Sequence, residues 1–136
     1  STMANMKTLD EFLTQAGVFY LATIEGDHPK CRPMGMHLLI GDTIYFGVGE
    51  FKACYKQMQE NPKVEICATV GKEFIRFYGR AVFEKDYTLA EKALEAAPHL
   101  RAIYNEQTGN RLGMFHLEPA TCEFRTMLDV KESFQV

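Results

Sequence analysis

CRPMGMHLLIGDTIYFGVGEFKACYKQMQENP, residues Cys31 to Pro62, is the stretch that decides the fold. Lys30 to Ile40 reads as a strand, Gly41-Asp42 turns it, and Thr43 to Val48 reads as the next strand. A connection that short forces an antiparallel pair, because a parallel crossover needs a dozen residues or more. Phe51 to Glu60 follows with apolar side chains at Phe51, Tyr55 and Met58. That is the i, i+4, i+7 spacing of a helix with one buried face. Asn61-Pro62 stops it, since proline can neither donate to the helix ladder nor follow an α-conformation comfortably.

Working outward, the same grammar repeats. Upstream, Thr8 to Ala16 is expected as a helix, with Thr8 and Glu11 at capping-box spacing and Gly17 as the stop. Val18 to Ile24 is a strand, turned by Glu25-Gly26-Asp27 into the Lys30 strand. Downstream, Val64 to Val70 and Phe74 to Glu84 form a hairpin about Gly71-Lys72. Arg76 and Arg80 share a face with Phe74 and Tyr78. Asp86 to Ala97 is helix-prone, with Thr88 and Glu91 at capping-box spacing, and Pro98 breaks it. His99 to Tyr104 reads as a short second helix. Met114 to Leu117 and Thr121 to Met127 are strands, and Lys131 to Val136 adds an edge strand or a tail. The sum is an α+β fold, an antiparallel barrel-like sheet of six or seven strands with helices inserted between strand pairs.

The chain has 136 residues, enough for one domain (1–136) with a real core, and residues 1–7 and 128–136 are expected at its periphery. The formal net charge is -3, so no basic face invites nucleic acid. No apolar run reaches the ~20 residues a membrane helix needs, and no basic-then-apolar leader opens the chain. Cys31, Cys54, Cys67 and Cys122 lie in apolar segments with no C-x-x-C spacing, so they read as buried free thiols in a reducing compartment, the cytoplasm.

Several chemistries lack their residues. The only serines are Ser1 and Ser133, at the ends. The histidines are His28, His37, His99 and His116, with no pair at i+3, i+4 or i+5, so a metal site has no local signal. His37 and His116 fall in expected strands and read as hydrogen-bonded structural residues. No carboxylate pair stands out for acid–base work, and Gly47-Val48-Gly49 is only the first half of a dinucleotide fingerprint.

What remains is two cations and a helix start. A strand, a turn and another strand separate Arg32 from Lys52, and an antiparallel meander can set them side by side. Arginine offers a planar fork to phosphate oxygens, and lysine adds a point charge. Lys52 also stands near the first turn of its helix, where free N–H groups favour an anion. Gly47 and Gly49 let the backbone approach a flat ligand. Pro33-Met34-Gly35 sets soft surface beside the arginine. Spacing alone also allows Arg32 as a surface strand residue and Lys52 on a solvated face.

The ordered pieces FYLAT (Phe19 to Thr23), RPMG (Arg32 to Gly35), IYF (Ile44 to Phe46), FKACYKQMQENPKVEICA (Phe51 to Ala68) and IRFYGRAVF (Ile75 to Phe83) resemble the pyridoxamine 5′-phosphate oxidase-like FMN-binding split-barrel family, and within it the small Nim-type (nitroimidazole-resistance-like) branch. The likeness spans roughly Leu9 to Arg125. It implies a split β-barrel that forms a homodimer with FMN in clefts at the interface. By this resemblance Arg32 and Lys52 would hold the FMN phosphate. The strands bearing Arg32, Pro33, Met34 and Gly35, and Phe46, Gly47, Val48 and Gly49, would run along the ribityl chain and ring. Arg76 would reach over from the partner. Val48, Gly49 and Phe51 stand where relatives often carry hydroxyl or polar side chains, so backbone N–H groups would replace them. The implied function is an FMN-dependent oxidoreductase passing hydride or electrons from reduced flavin to a small organic acceptor, such as a nitro compound or quinone. The alternative is a non-catalytic flavin- or haem-binding module on the same barrel, with His37 or His116 as axial ligand. The C-terminal substrate segment of true pyridoxamine phosphate oxidases has no match here, which argues against vitamin B6 as substrate.

Overall fold

The structure, a computed structural model, describes residues 2–136. Ser1, one of the 1–7 expected at the periphery, lies outside them. In order come α1 (Thr2–Ala16), β1 (Phe19–Glu25), β2 (His28–Met34), β3 (His37–Ile40), β4 (Thr43–Gly49), α2 (Ala53–Glu60), β5 (Lys63–Val70), β6 (Glu73–Glu84), α3 (Tyr87–Ala96), a 3-10 turn (Pro98–Ala102), β7 (Leu112–Arg125) and β8 (Val130–Gln135). Among the described residues the sheet has eight strands, against the six or seven expected, and all pairings are antiparallel.

The sheet runs β2-β1-β5-β6-β7-β4-β3, with β8 beside the second half of β7. Its two ends, β2 and β3, are what the sequence suggests as one strand over Lys30 to Ile40. They are consecutive in the chain, joined only by Gly35 and Met36. A link that short reaches about 10 Å, so the far ends of the sheet must meet and the sheet curls into a barrel. The seam between β2 and β3 carries no strand pairing, which is what makes the α+β barrel split. Pro29 and Pro33 both lie in β2, opposite Ile24 and Tyr20 of β1. Proline has no N–H for a ladder, so both positions fall on the side of β2 turned away from β1. At the other end the expected pair Met114 to Leu117 and Thr121 to Met127 is one strand, β7.

Alternation places Phe19, Leu21, Phe46, Ile66, Ile75, Phe77 and Phe115 inside, each 1% exposed or less. Helix α1 closes this core with Met6, Leu9 and Leu13. It begins at least six residues before Thr8, whose hydroxyl donates to the Ala4 carbonyl at 3.0 Å, so Thr8 is no cap. Met6 is 2% exposed, so residues 2–7 are not merely peripheral. Nor is 128–136 a loose tail: β8 pairs with β7, and Phe134 packs on Phe124. Among the large hydrophobic residues described, Met127 and Leu128, at the tip between these strands, stand almost fully exposed.

Helix α3 lies outside the barrel, where Ala90, Ala93 and Leu94 pack with Leu112 and Met114 of β7. Its cap is Asp86, which accepts from the Thr88 N–H at 2.9 Å, rather than a Thr88–Glu91 box; Glu91 pairs instead with Arg101 at 2.7 Å. The hydrogen bond from Thr88 lowers the Asp86 pKa. Of the cysteines expected to be buried, Cys54 and Cys122 are; Cys31 is exposed and Cys67 half-buried, because both fall on the outer face of the sheet. The β6–β7 pairing shifts register between Gly79 and Ala81. A Cβ on Gly79 would collide with the Pro119 carbonyl oxygen and stand 2.7 Å from Ala120 Cα.

Candidate functional site: a cleft between the barrel seam and the α3 layer

The outer face of β4 is where the two layers meet. Ile44, Phe46 and Val48 point into the barrel, so Tyr45, Gly47 and Gly49 face out toward α3 and the 3-10 turn. There a cleft of about 380 Å³ opens. One wall is the β2–β3 corner, with Pro33, Gly35 and Met36. The floor is Gly47 and Leu112. The opposite wall is the end of α3 and the 3-10 segment, with His99, Leu100, Ile103 and Tyr104, and Lys52 stands at the rim.

Lys52 is the N-cap of α2, and its extended backbone (φ -81, ψ 150) leaves the first-turn N–H groups without a side-chain cap. Its own N–H bonds the Gly49 carbonyl at 3.0 Å, which fixes the turn out of β4. Among the described residues no carboxylate lies within ion-pair reach of its ammonium, whose nearest ring is Phe51 at 5.9 Å. The helix buries Cys54, Gln57 and Met58, so the expected Phe51–Tyr55–Met58 face is rotated, and Phe51 is 48% exposed, with its ring 6.3 Å from that of Tyr104. At Gly49 a Cβ would lie 2.6 Å from the Phe51 ring and 3.0 Å from the Tyr104 hydroxyl, so a larger residue there would have to displace the half-exposed Phe51 side chain. At Gly47 a Cβ would press on Met114, Leu112 and Met36 at 3.0 to 3.2 Å.

Arg32 takes another course. Its guanidinium turns under the sheet, giving hydrogen bonds to the Leu21 carbonyl (3.2 Å), Thr23 Oγ1 (2.6 Å) and Gln57 Oε1 (3.0 Å). The Thr23 hydroxyl also donates to Gln57 Oε1 at 2.7 Å, and Gln57 reaches Glu25 at 2.9 Å. Thr23 and Gln57 are buried polar groups, and this network satisfies them. The arginine therefore ties α2 to β1, and it does not line the cleft. Lys52 and Arg32 are not a side-by-side pair there. Met34 is partly buried against the core, and Phe46 and Val48 are core side chains, so the latter two can meet a ligand only through backbone. Arg76 sits on the outer face of β6, bound to both Glu65 oxygens at 2.8 and 2.9 Å; that hydrogen bond raises its pKa.

His37 Nδ1 meets Asp10 at 2.7 Å and its Nε2 meets Thr14 at 3.3 Å, so the ring pins α1 to β3. His116 Nδ1 is 3.0 Å from a Glu84 oxygen without hydrogen-bond alignment. Neither ring lines the cleft. Met36, Leu100, Tyr104 and Leu112 carry no signal in the sequence that marks them as cleft residues. Pro98 marks where α3 stops, but nothing in local spacing says that the segment after it folds back over Gly47.

A family model described as pyridoxamine 5′-phosphate oxidase matches residues 6–125. The chain belongs to this family. A NimC/NimA family protein from Clostridium acetobutylicum is 34% identical over 99% of this chain and 94% of its own, with a TM-score of 0.88. General stress protein 26 from Bacillus anthracis shares the fold at 16% identity (TM-score 0.73; 98% of this chain, 100% of that one). So does an FAD-binding protein from Mesorhizobium loti at 14% (TM-score 0.63; 88% and 94%). No curated protein sequence matches the chain. The eight-stranded antiparallel sheet with its three α-helices is the α+β split barrel of the pyridoxamine 5′-phosphate oxidase family. No helix among the described residues is long and apolar enough to cross a membrane.

Proposed function

We propose that the cleft binds FMN and that the protein is an oxidoreductase, passing hydride or electrons from the reduced flavin to a small organic acceptor. The observation that carries this is Lys52: an ammonium without a carboxylate partner, at the uncapped start of α2, on the rim of a cleft whose walls are mostly apolar, with His99 and the Tyr104 hydroxyl as their other polar groups. Those donors fit a phosphate. Pro33, Met36, Leu100 and Leu112 fit a flat ring. When bound, the flavin supplies the electron-transfer chemistry. The protein's share is to bind and orient it: Lys52 and the α2 N–H groups for the phosphate, and Pro33, Gly35, Gly47 and Gly49 along the chain and ring. Phe46 and Val48 act through backbone, Met34 through backbone and its partly exposed side chain, and Arg32 by holding α2 in place through Gln57. Arg76 does not line the cleft of its own chain, so it enters only from a second copy in a homodimer.

Incubation with FMN followed by desalting tests the reading directly. A yellow protein with the oxidised-flavin absorption band supports it, and a colourless one ends it. Replacing Lys52 with Ala removes a charge-assisted contact and weakens FMN binding about ten- to a hundredfold. A titration of both proteins reads this, and equal affinities would move the phosphate elsewhere.

A further inference from the structure

A second cavity, of about 590 Å³, lies between α3 and the loop leading to β7. Tyr104 and Leu112 line both it and the Lys52 cleft, so the two spaces are one side chain apart. The floor is apolar: Ala90, Leu94 and Leu112. The polar groups of its wall are unevenly committed. Asn105 and Asn110 give their amide N–H groups to loop carbonyls at 2.8 to 3.4 Å. Glu91 is paired with Arg101. Tyr87 donates its hydroxyl to Glu50 at 3.0 Å.

Two donors are left. The Arg111 guanidinium lies 4.8 Å from the centre of the Tyr87 ring, and among the described residues no carboxylate is within ion-pair distance of it. It also interacts with the Tyr87 hydroxyl and with the Glu50 charge, both of which raise its pKa, and its other N–H groups have no hydrogen-bond acceptor among the described residues. The Tyr104 hydroxyl has no hydrogen-bond partner among the described residues, and burial raises its pKa, so it stays a donor. Glu106 is the one wall carboxylate that no cation neutralises, and it is exposed. A ligand suited to this wall is flat and apolar on one side and brings hydrogen-bond acceptors, not donors.

We propose that this cavity binds a small planar aromatic carboxylate, with its ring on the Leu94–Leu112 floor and its oxygens on Arg111. As the acceptor-substrate pocket of the neighbouring cleft it rests on the FMN reading. As a binding site it does not. Tyr104 is the wall through which the two ligands would face each other.

The test uses the whole chain without flavin. Benzoate and benzylamine are titrated separately while backbone amide NMR shifts are followed. Benzoate is expected to shift residues of α3 and the 103–112 loop, and benzylamine to shift none of them. Arg111→Gln should weaken benzoate binding at least tenfold, and Leu94→Trp should block it by filling the floor. Both variants are checked by thermal melting, and Arg111→Gln, at a surface position, carries the test if Leu94→Trp does not fold. Absence of benzoate binding, equal binding of benzylamine, or unchanged affinity in Arg111→Gln each overturns the proposal. FMN binding without benzoate binding leaves the cofactor reading intact and ends this one. The reverse result does the opposite.

Discussion

At the scale of the residue, Arg32 and Lys52 have different fates, and their variants should behave differently. Replacing Arg32 with Ala leaves the Thr23 and Leu21 oxygens short of a donor beneath the sheet and loosens Gln57. The expected cost is about 1–3 kcal/mol, read as a lower urea midpoint. Any loss of FMN affinity then follows from a displaced α2. Lys52→Ala should lose affinity and keep its urea midpoint. If Arg32→Ala keeps parental stability but loses FMN, the guanidinium acts on the phosphate after all. Cys122 offers a second check. Burial pushes its thiol from 9.0 up to about 12. Above pH 9 the unfolded chain releases this proton and the folded chain holds it, so folding stability falls as pH rises toward 12. The slope from this one group is up to ~1.4 kcal/mol per pH unit. Urea unfolding at pH 9.0 and 10.5 should show a steeper decline in the parent than in Cys122→Ala. Parallel declines would mean that the thiol ionises in place.

At the scale of the element, the β6–β7 pair is held close by one glycine. Gly79→Ala pushes a methyl into the Pro119–Ala120 backbone, which cannot swing aside as a side chain can. The expected loss is about 2–3 kcal/mol, visible as a lower melting temperature; an unchanged melt would show that the strands part without cost. This element also shows what the sequence can and cannot disclose. Period-two alternation in Val64 to Val70 and the Gly71-Lys72 turn identify the β5–β6 hairpin, because both signals are local. Lys30 to Ile40 looks like one strand because Gly35 and Met36 do not interrupt its apolar character. Only the pairing of its halves with β1 and β4 divides it. Lys52 at a helix start is likewise legible, since turn and stop residues flank α2. Arg32's partners are not legible, because Thr23 and Gln57 are 9 and 25 residues away. The 3-10 wall over Gly47 stays hidden for the same reason: the contact is made by packing, which leaves no spacing rule behind.

At the scale of the whole molecule, the proposed homodimer predicts a mass twice the 15.5 kDa of one chain. Sedimentation equilibrium at micromolar concentration should find it, and a monomer mass would leave Arg76 no route to the cleft. The seam constrains how two copies can meet. The positions of β2 that look away from β1 are 29, 31 and 33, and two of these are proline. An intruding strand arriving at that edge would find a single amide donor, that of Cys31, where a ladder needs a row. The sheet cannot be lengthened there by another chain, so association is diverted from edge to face. Restoring the missing donors with Pro29→Thr and Pro33→Thr should raise light scattering during storage of concentrated protein. The prolines would then be what keeps an open barrel from serving as a template for endless strand addition.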